Sequence, residues 1–168
     1  ELPSLVSGAT GGVGSIAVML LSKLDFTVTA LTGKTSAAEF LTNIGATHIL
    51  LRDEYLNSPN KAIDKPLFSN AVDTVGGNIL SKMLSQIHPH GLVTCCGNVA
   101  GIEINTTVFP FILRGISLSG VDSAEAPIEF KANLWNKLAN EWKLDLTPII
   151  KEVTKDQLNN EIQLILKG

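Results

Sequence analysis

A chain of 168 residues, 45% hydrophobic and 17% charged, has enough material for one sizeable core and argues for a single domain. Its formal net charge is −3 and no dense basic run occurs, so it lacks an electrostatic footprint for nucleic acid or an anionic membrane surface. Apolar stretches such as residues 16–24 and 112–118 are broken by polar residues well short of the roughly 20 that a membrane span requires, and a soluble cytoplasmic protein is expected.

Taken in chain order, Leu5 to Ser7 begins an apolar strand and residues 8–14 turn the chain. Ser15 to Leu24 then places Ile16, Leu20 and Leu24 at helical spacing. Thr27 to Leu31 is rich in β-branched residues and predicts a second strand. Ser36-x-x-Glu39 reads as a capping box opening a helix through Ile44, with Gly45 at its C-terminal turn. His48 to Leu51 is a short third strand, and residues 52–65 are polar and weakly patterned, a loop with one poor helix. Asn70 to Val75, Gly91 to Cys96 and Ile116 to Val121 give three more strands, with a helix over 79–87 between the first two. Residues 127–142 read as a helix, and Thr154-x-x-Gln157 caps a last one through Leu166.

Strands alternating with helices at this spacing predict an α/β fold. Its doubly wound parallel sheet would carry helices on both faces in three layers, with ligands at the carboxyl ends of the strands. Ala9-x-Gly11-x-x-Gly14 lies between the first strand and its helix and matches the dinucleotide fingerprint with alanine in the first position. A small first residue permits the tight turn, Gly11 lets backbone approach a pyrophosphate, and Gly14 lets the helix pack closely. Thr10, Gly11, Gly12 and Val13 are therefore candidate phosphate-side residues, with helix N–H groups facing the anion.

An acid usually ends the second strand of such domains and accepts the ribose hydroxyl of NAD, but here the segment is Leu31-Thr32-Gly33-Lys34-Thr35-Ser36. Lys34 supplies a cation and Thr32 a hydroxyl, a set that suits a 2′-phosphate, so NADPH is expected over NADH. Thr32, Gly33 and Lys34 are assigned to that site, with Arg52 as a second charge.

Several further segments carry a family resemblance: Val6 to Ser15, Ala71 to Gly76, Thr106 to Arg114, Gly120 to Ser123, Leu41-x-x-Ile44-Gly45-Ala46 and Leu51 to Glu54. Together they resemble the zinc-independent quinone oxidoreductase branch of the medium-chain dehydrogenases/reductases, and within it the acrylyl-CoA reductase (NADPH)-like subfamily. The resemblance implies a Rossmann-type NADPH domain over residues 1–168, taken from a longer enzyme. The GroES-like substrate domain and a last strand after Gly168 would be missing, which agrees with an opening at Glu1-Leu2-Pro3 without initiator Met or signal peptide. It implies hydride transfer from NADPH to an α,β-unsaturated carbonyl, whether quinone, enone or acrylyl-CoA-like acceptor. It also places Gly97 and Asn98 near the nicotinamide ribose and Val121, Asp122 and Ser123 by the carboxamide. The family commonly has arginine where Lys34 stands, which keeps the charge without the bidentate fork.

Other readings are weaker. The short-chain dehydrogenase chemistry needs Tyr-x-x-x-Lys, and the single tyrosine, Tyr55, is followed at that spacing by Pro59. His88-Pro89-His90 lacks the further ligands zinc needs. Asp73 and Asp122 end apolar runs and receive no catalytic role, and adjacent Cys95 and Cys96 read as small core residues. A cofactor-binding module without chemistry is the alternative that no residue here excludes. The strand within 114–120 is an edge candidate, and its pairing with a mate would make the parent enzyme a homodimer.

Overall fold

The computed structural model describes residues 2–167; Glu1 and Gly168, the ends on which the excised-domain expectation rests, lie outside the described residues. Six strands form one parallel sheet: β1 (Ser4–Val6), β2 (Val28–Thr32), β3 (His48–Leu51), β4 (Ala71–Asp73), β5 (Leu92–Cys95) and β6 (Ser117–Gly120). Their spatial order is β3-β2-β1-β4-β5-β6. The chain therefore winds outward from β1 in one direction and then from β4 in the other, which opens a crevice where the direction reverses. Leu5 marks that position, pairing with Thr29 on one side and Ala71 on the other.

Helices α1 (Gly12–Lys23), α2 (Ala38–Asn43), α3 (Arg52–Asn57) and α4 (Gly77–Ser85) connect the first five strands. Helices α5 (Phe109–Arg114), α6 (Ile128–Ala139) and α7 (Leu158–Lys167) follow in chain order. Successive strand residues point to opposite faces, so Leu5 joins one core cluster with Met83, Leu84 and Ile87 while Val6 joins the other with Val18 and Leu41. A sheet covered on both sides results, as the alternating pattern predicts.

Two local expectations, at Ser36 and at Cys96, are corrected, and residues 109–114 form an element that the sequence pattern leaves unassigned. The Ser36-x-x-Glu39 box does not form, because a 3₁₀ turn over Thr35–Ala37 takes those residues and α2 begins at Ala38 without a side-chain cap. Phe109 to Arg114 is a helix with Pro110 in its first turn, where a proline's missing N–H costs nothing. Cys95 packs against the core but Cys96 is exposed, since adjacent residues at a strand end face opposite ways. The Thr154–Gln157 box is present and introduces α7 through a 3₁₀ turn. Among the described residues no helix is long and apolar enough to cross a membrane.

Candidate cofactor cleft

The turn after β1 builds the first wall of the crevice. Gly11 N–H donates to the Gly8 carbonyl at 2.9 Å, and a β-carbon on Gly14 would stand 2.3 Å from that same oxygen. Only glycine lets α1 start this close to the strand. No side chain caps α1 and no acid stands in its first turn, so its amino-terminal N–H groups present positive potential outward. Thr10, Gly11, Gly12 and Val13 line a cleft of about 860 Å³, and Lys34 reaches it from beyond β2.

A second cavity of about 210 Å³ continues past Gly8 and Thr10 to Thr32, Gly33 and Arg52. The Thr32 hydroxyl accepts the Lys34 N–H at 3.0 Å, which sets the course of the turn that carries the lysine. Lys34 forms no ion pair among the described residues. Arg52 pairs with Asp53 at 3.0 Å while its guanidinium lies against Gly33.

Gly97, Asn98, Val121 and Asp122 line a third cleft of about 600 Å³ together with Cys96. Ser123 is exposed and does not line it. The Asp122 carboxylate accepts the N–H groups of Ala124 and Glu125, each at 3.1 Å, and so caps its own turn. Although the residue as a whole is exposed, its sulfur is partly withdrawn from water against the Asp73 carbonyl, and this desolvation, followed by the Asp73 charge and Cys95, raises the Cys96 thiol above its ordinary value. A thiol so held is a poor nucleophile. His90 N–H donates to the Arg114 carbonyl, and His88 stands beside Pro89; the two histidines belong to a turn. Among the described residues no three His, Cys, Asp or Glu side chains converge as a metal site would require.

Sequence reasoning missed the residues that join these walls. Thr74 and Val75, just past β4, line the largest cleft, and so do Val99, Leu164 and Ile165. Gly76 (φ 72°) and Gly77 (φ 59°) make the sharp turn into α4 and leave room for the backbone carbonyls of Ala100 and Gly101. That glycine pair was the available signal for a close approach. Nothing local marked Leu164 and Ile165, which belong to a distant helix.

A parallel sheet of this order with a glycine turn at its reversal point is a Rossmann-type nucleotide-binding domain. The chain belongs to the zinc-binding dehydrogenase family, whose model matches residues 12–140. It is 36% identical to the acrylyl-CoA reductase AcuI of Ruegeria pomeroyi over 99% of this chain and 51% of that protein. It superposes on Bacillus subtilis protein YhfP, crystallised with NAD bound, with a TM-score of 0.92 and 40% identity. That match covers 98% of this chain and 51% of the other. For Escherichia coli K-12 YhdH with bound NADPH the values are 0.91 and 39%, over 99% and 51%. The chain thus spans about half the length of the curated relatives it matches.

Proposed function

We propose that this chain is the NADPH-holding half of a reductase acting on an α,β-unsaturated carbonyl: a quinone, an enone or an acrylyl-CoA-like thioester. The observation that carries the reading is the uncapped, acid-free start of α1 at the glycine turn, with Lys34 in the same cleft. The fit is steric as well as electrostatic, because Gly11 and Gly12 leave the floor of the turn without side chains and the cleft is of the size that small-molecule sites occupy. YhdH with bound NADPH and the relative named for acrylyl-CoA support the choice of cofactor and acceptor, whereas YhfP with bound NAD supports a nicotinamide dinucleotide of either kind.

When bound, NADPH supplies a hydride. The residues of this chain hold and orient it: Thr10, Gly11, Gly12 and Val13 face the pyrophosphate, Lys34 with Thr32 and Gly33 the 2′-phosphate, and Arg52 the adenosine end. Gly97, Asn98, Val121 and Asp122 border the nicotinamide end, with Ser123 outside the cleft. A substrate domain covers the carboxyl edge of the sheet in this reading, where Val99, Ile102 and Val108 are exposed. Strand β6, at the edge of the sheet, pairs with its mate in a homodimer of the whole enzyme, which works in the cytoplasm.

Calorimetric titration of the chain with NADPH and NADH tests the cofactor half of the reading. Tighter binding of NADPH is expected, and binding of neither would overturn it. A polypeptide carrying the substrate domain as well is expected to oxidise NADPH on addition of acrylyl-CoA, and light scattering should find it dimeric.

A further inference from the structure

Asp73 is 0% exposed at the end of β4. Its carboxylate meets the Ser7 hydroxyl at 2.7 Å, the Gly76 N–H at 2.8 Å and the Val75 N–H at 3.4 Å. The Ser7 oxygen in turn accepts the Thr74 N–H at 2.9 Å, which leaves its own hydrogen for Asp73. Two backbone N–H groups and one hydroxyl thus aim hydrogens at a group that donates to none of them, the arrangement of an ionised carboxylate. No ion pair among the described residues includes it.

A buried charge without a counter-ion is costly even when hydrogen-bonded, and a neutral amide would fill the same space. The charge sits at the reversal point of the sheet. The two residues that follow it, Thr74 and Val75, line the largest cleft, and its carbonyl accepts the N–H of Cys96, which lines the third. Its field extends into that third cleft, where it contributes to raising the Cys96 thiol. The low-dielectric surroundings screen such a field far less than water does.

The two redox forms of a nicotinamide ring differ by one positive charge, and the resemblance places the ribose that carries this ring near Gly97 and Asn98 and its carboxamide by Val121 to Ser123, at the third cleft. We propose that Asp73 is a fixed counter-charge that makes this cleft favour the oxidised, cationic nicotinamide over the reduced one, an inference that rests on the cofactor reading above. Its consequence for the reaction is that positive charge arising on hydride donation meets a preorganised negative group, without any reorganisation of the protein.

Equilibrium titration with NADP⁺ and NADPH tests this on the unsubstituted chain, Asp73→Asn and Ser7→Ala. Asp73→Asn removes the charge and keeps the shape, and it is expected to weaken NADP⁺ at least about threefold more than NADPH. Ser7→Ala keeps the charge and removes its shortest hydrogen bond, so the preference should move toward NADP⁺. Parallel changes for both redox forms in either variant would overturn the inference and leave Asp73 a structural cap. If Asp73→Asn does not fold by circular dichroism, Ser7→Ala alone decides, because its expected shift has the opposite sign. Failure of the unsubstituted chain to bind either form would overturn the cofactor reading, whereas binding with an unmoved ratio would overturn only this inference.

Discussion

The Arg52 guanidinium lies across Gly33, with Cζ and Nη1 each 2.9 Å from where a β-carbon on residue 33 would stand. Residue 33 must be small for Arg52 to form this wall of the 210 Å³ cavity. Arg52 starts α3 and Gly33 follows β2, so the contact joins the ends of two neighbouring strands.

Gly33→Ala should therefore separate stability from binding. The atoms the new methyl meets are the far end of a half-exposed side chain, which can swing away. Urea unfolding is expected to change by no more than about 0.5 kcal/mol, while NADPH and NADH both bind more weakly by titration.

Lys34→Ala should act on one cofactor only. Loss of a charge-assisted contact to the 2′-phosphate is expected to cost NADPH about 1.5 to 3 kcal/mol, roughly ten- to a hundredfold in affinity. NADH, lacking that phosphate, should bind as before; equal losses for both cofactors in calorimetry would refute the placement of Lys34.

Gly97→Ala meets an obstacle that cannot move aside. Its β-carbon would stand 1.9 Å from the Thr74 carbonyl oxygen, a backbone atom fixed by the turn after β4. Destabilisation of about 1 to 3 kcal/mol is expected in urea unfolding, accompanied by weakened cofactor binding because Thr74 and Val75 line the largest cleft.

Tyr55→Phe should flatten the alkaline limb of stability. Burial, followed by the Asp64 charge, raises the Tyr55 hydroxyl well above its ordinary value of 10.0, and that hydroxyl donates to Gln86 Oε1 at 2.8 Å. A group whose folded value is raised contributes stability that is complete below the unfolded value and is lost as pH climbs through the folded one. Lys82, beside the Tyr55 ring and held below its ordinary value by burial, contributes with the opposite sign over a nearby range. Comparing the variant with the unsubstituted chain isolates the tyrosine. Near neutral pH the variant should lose about 1 kcal/mol for the missing hydrogen bond, and from about pH 10 upward its stability should fall less steeply.

Much of the fold was legible because its signals are local. Val28 to Leu31 announce a strand by residue type, and Ala9, Gly11 and Gly14 announce a phosphate turn by spacing within six residues. The parallel sheet follows from the alternation of such segments, since strands joined through helices have few other ways to bury both faces. Lys34 was also readable as a cation just past β2, and the structure brings it to the same cleft as the glycine turn.

The rest depended on contacts between residues far apart in the chain, which no local pattern encodes. Ser7 reaches Asp73 across 66 residues, and only the pairing of β1 with β4 brings them together as a buried hydroxyl and carboxylate. Leu164 and Ile165 sit on a helix whose own apolar spacing says nothing of the glycine turn it approaches. By itself the sequence determined the kind of sheet, the glycine turn and the charge beside it, because propensity and spacing act within a few residues. Tertiary structure alone decided which walls close the cleft and where the buried Asp73 carboxylate lies, because packing sets both.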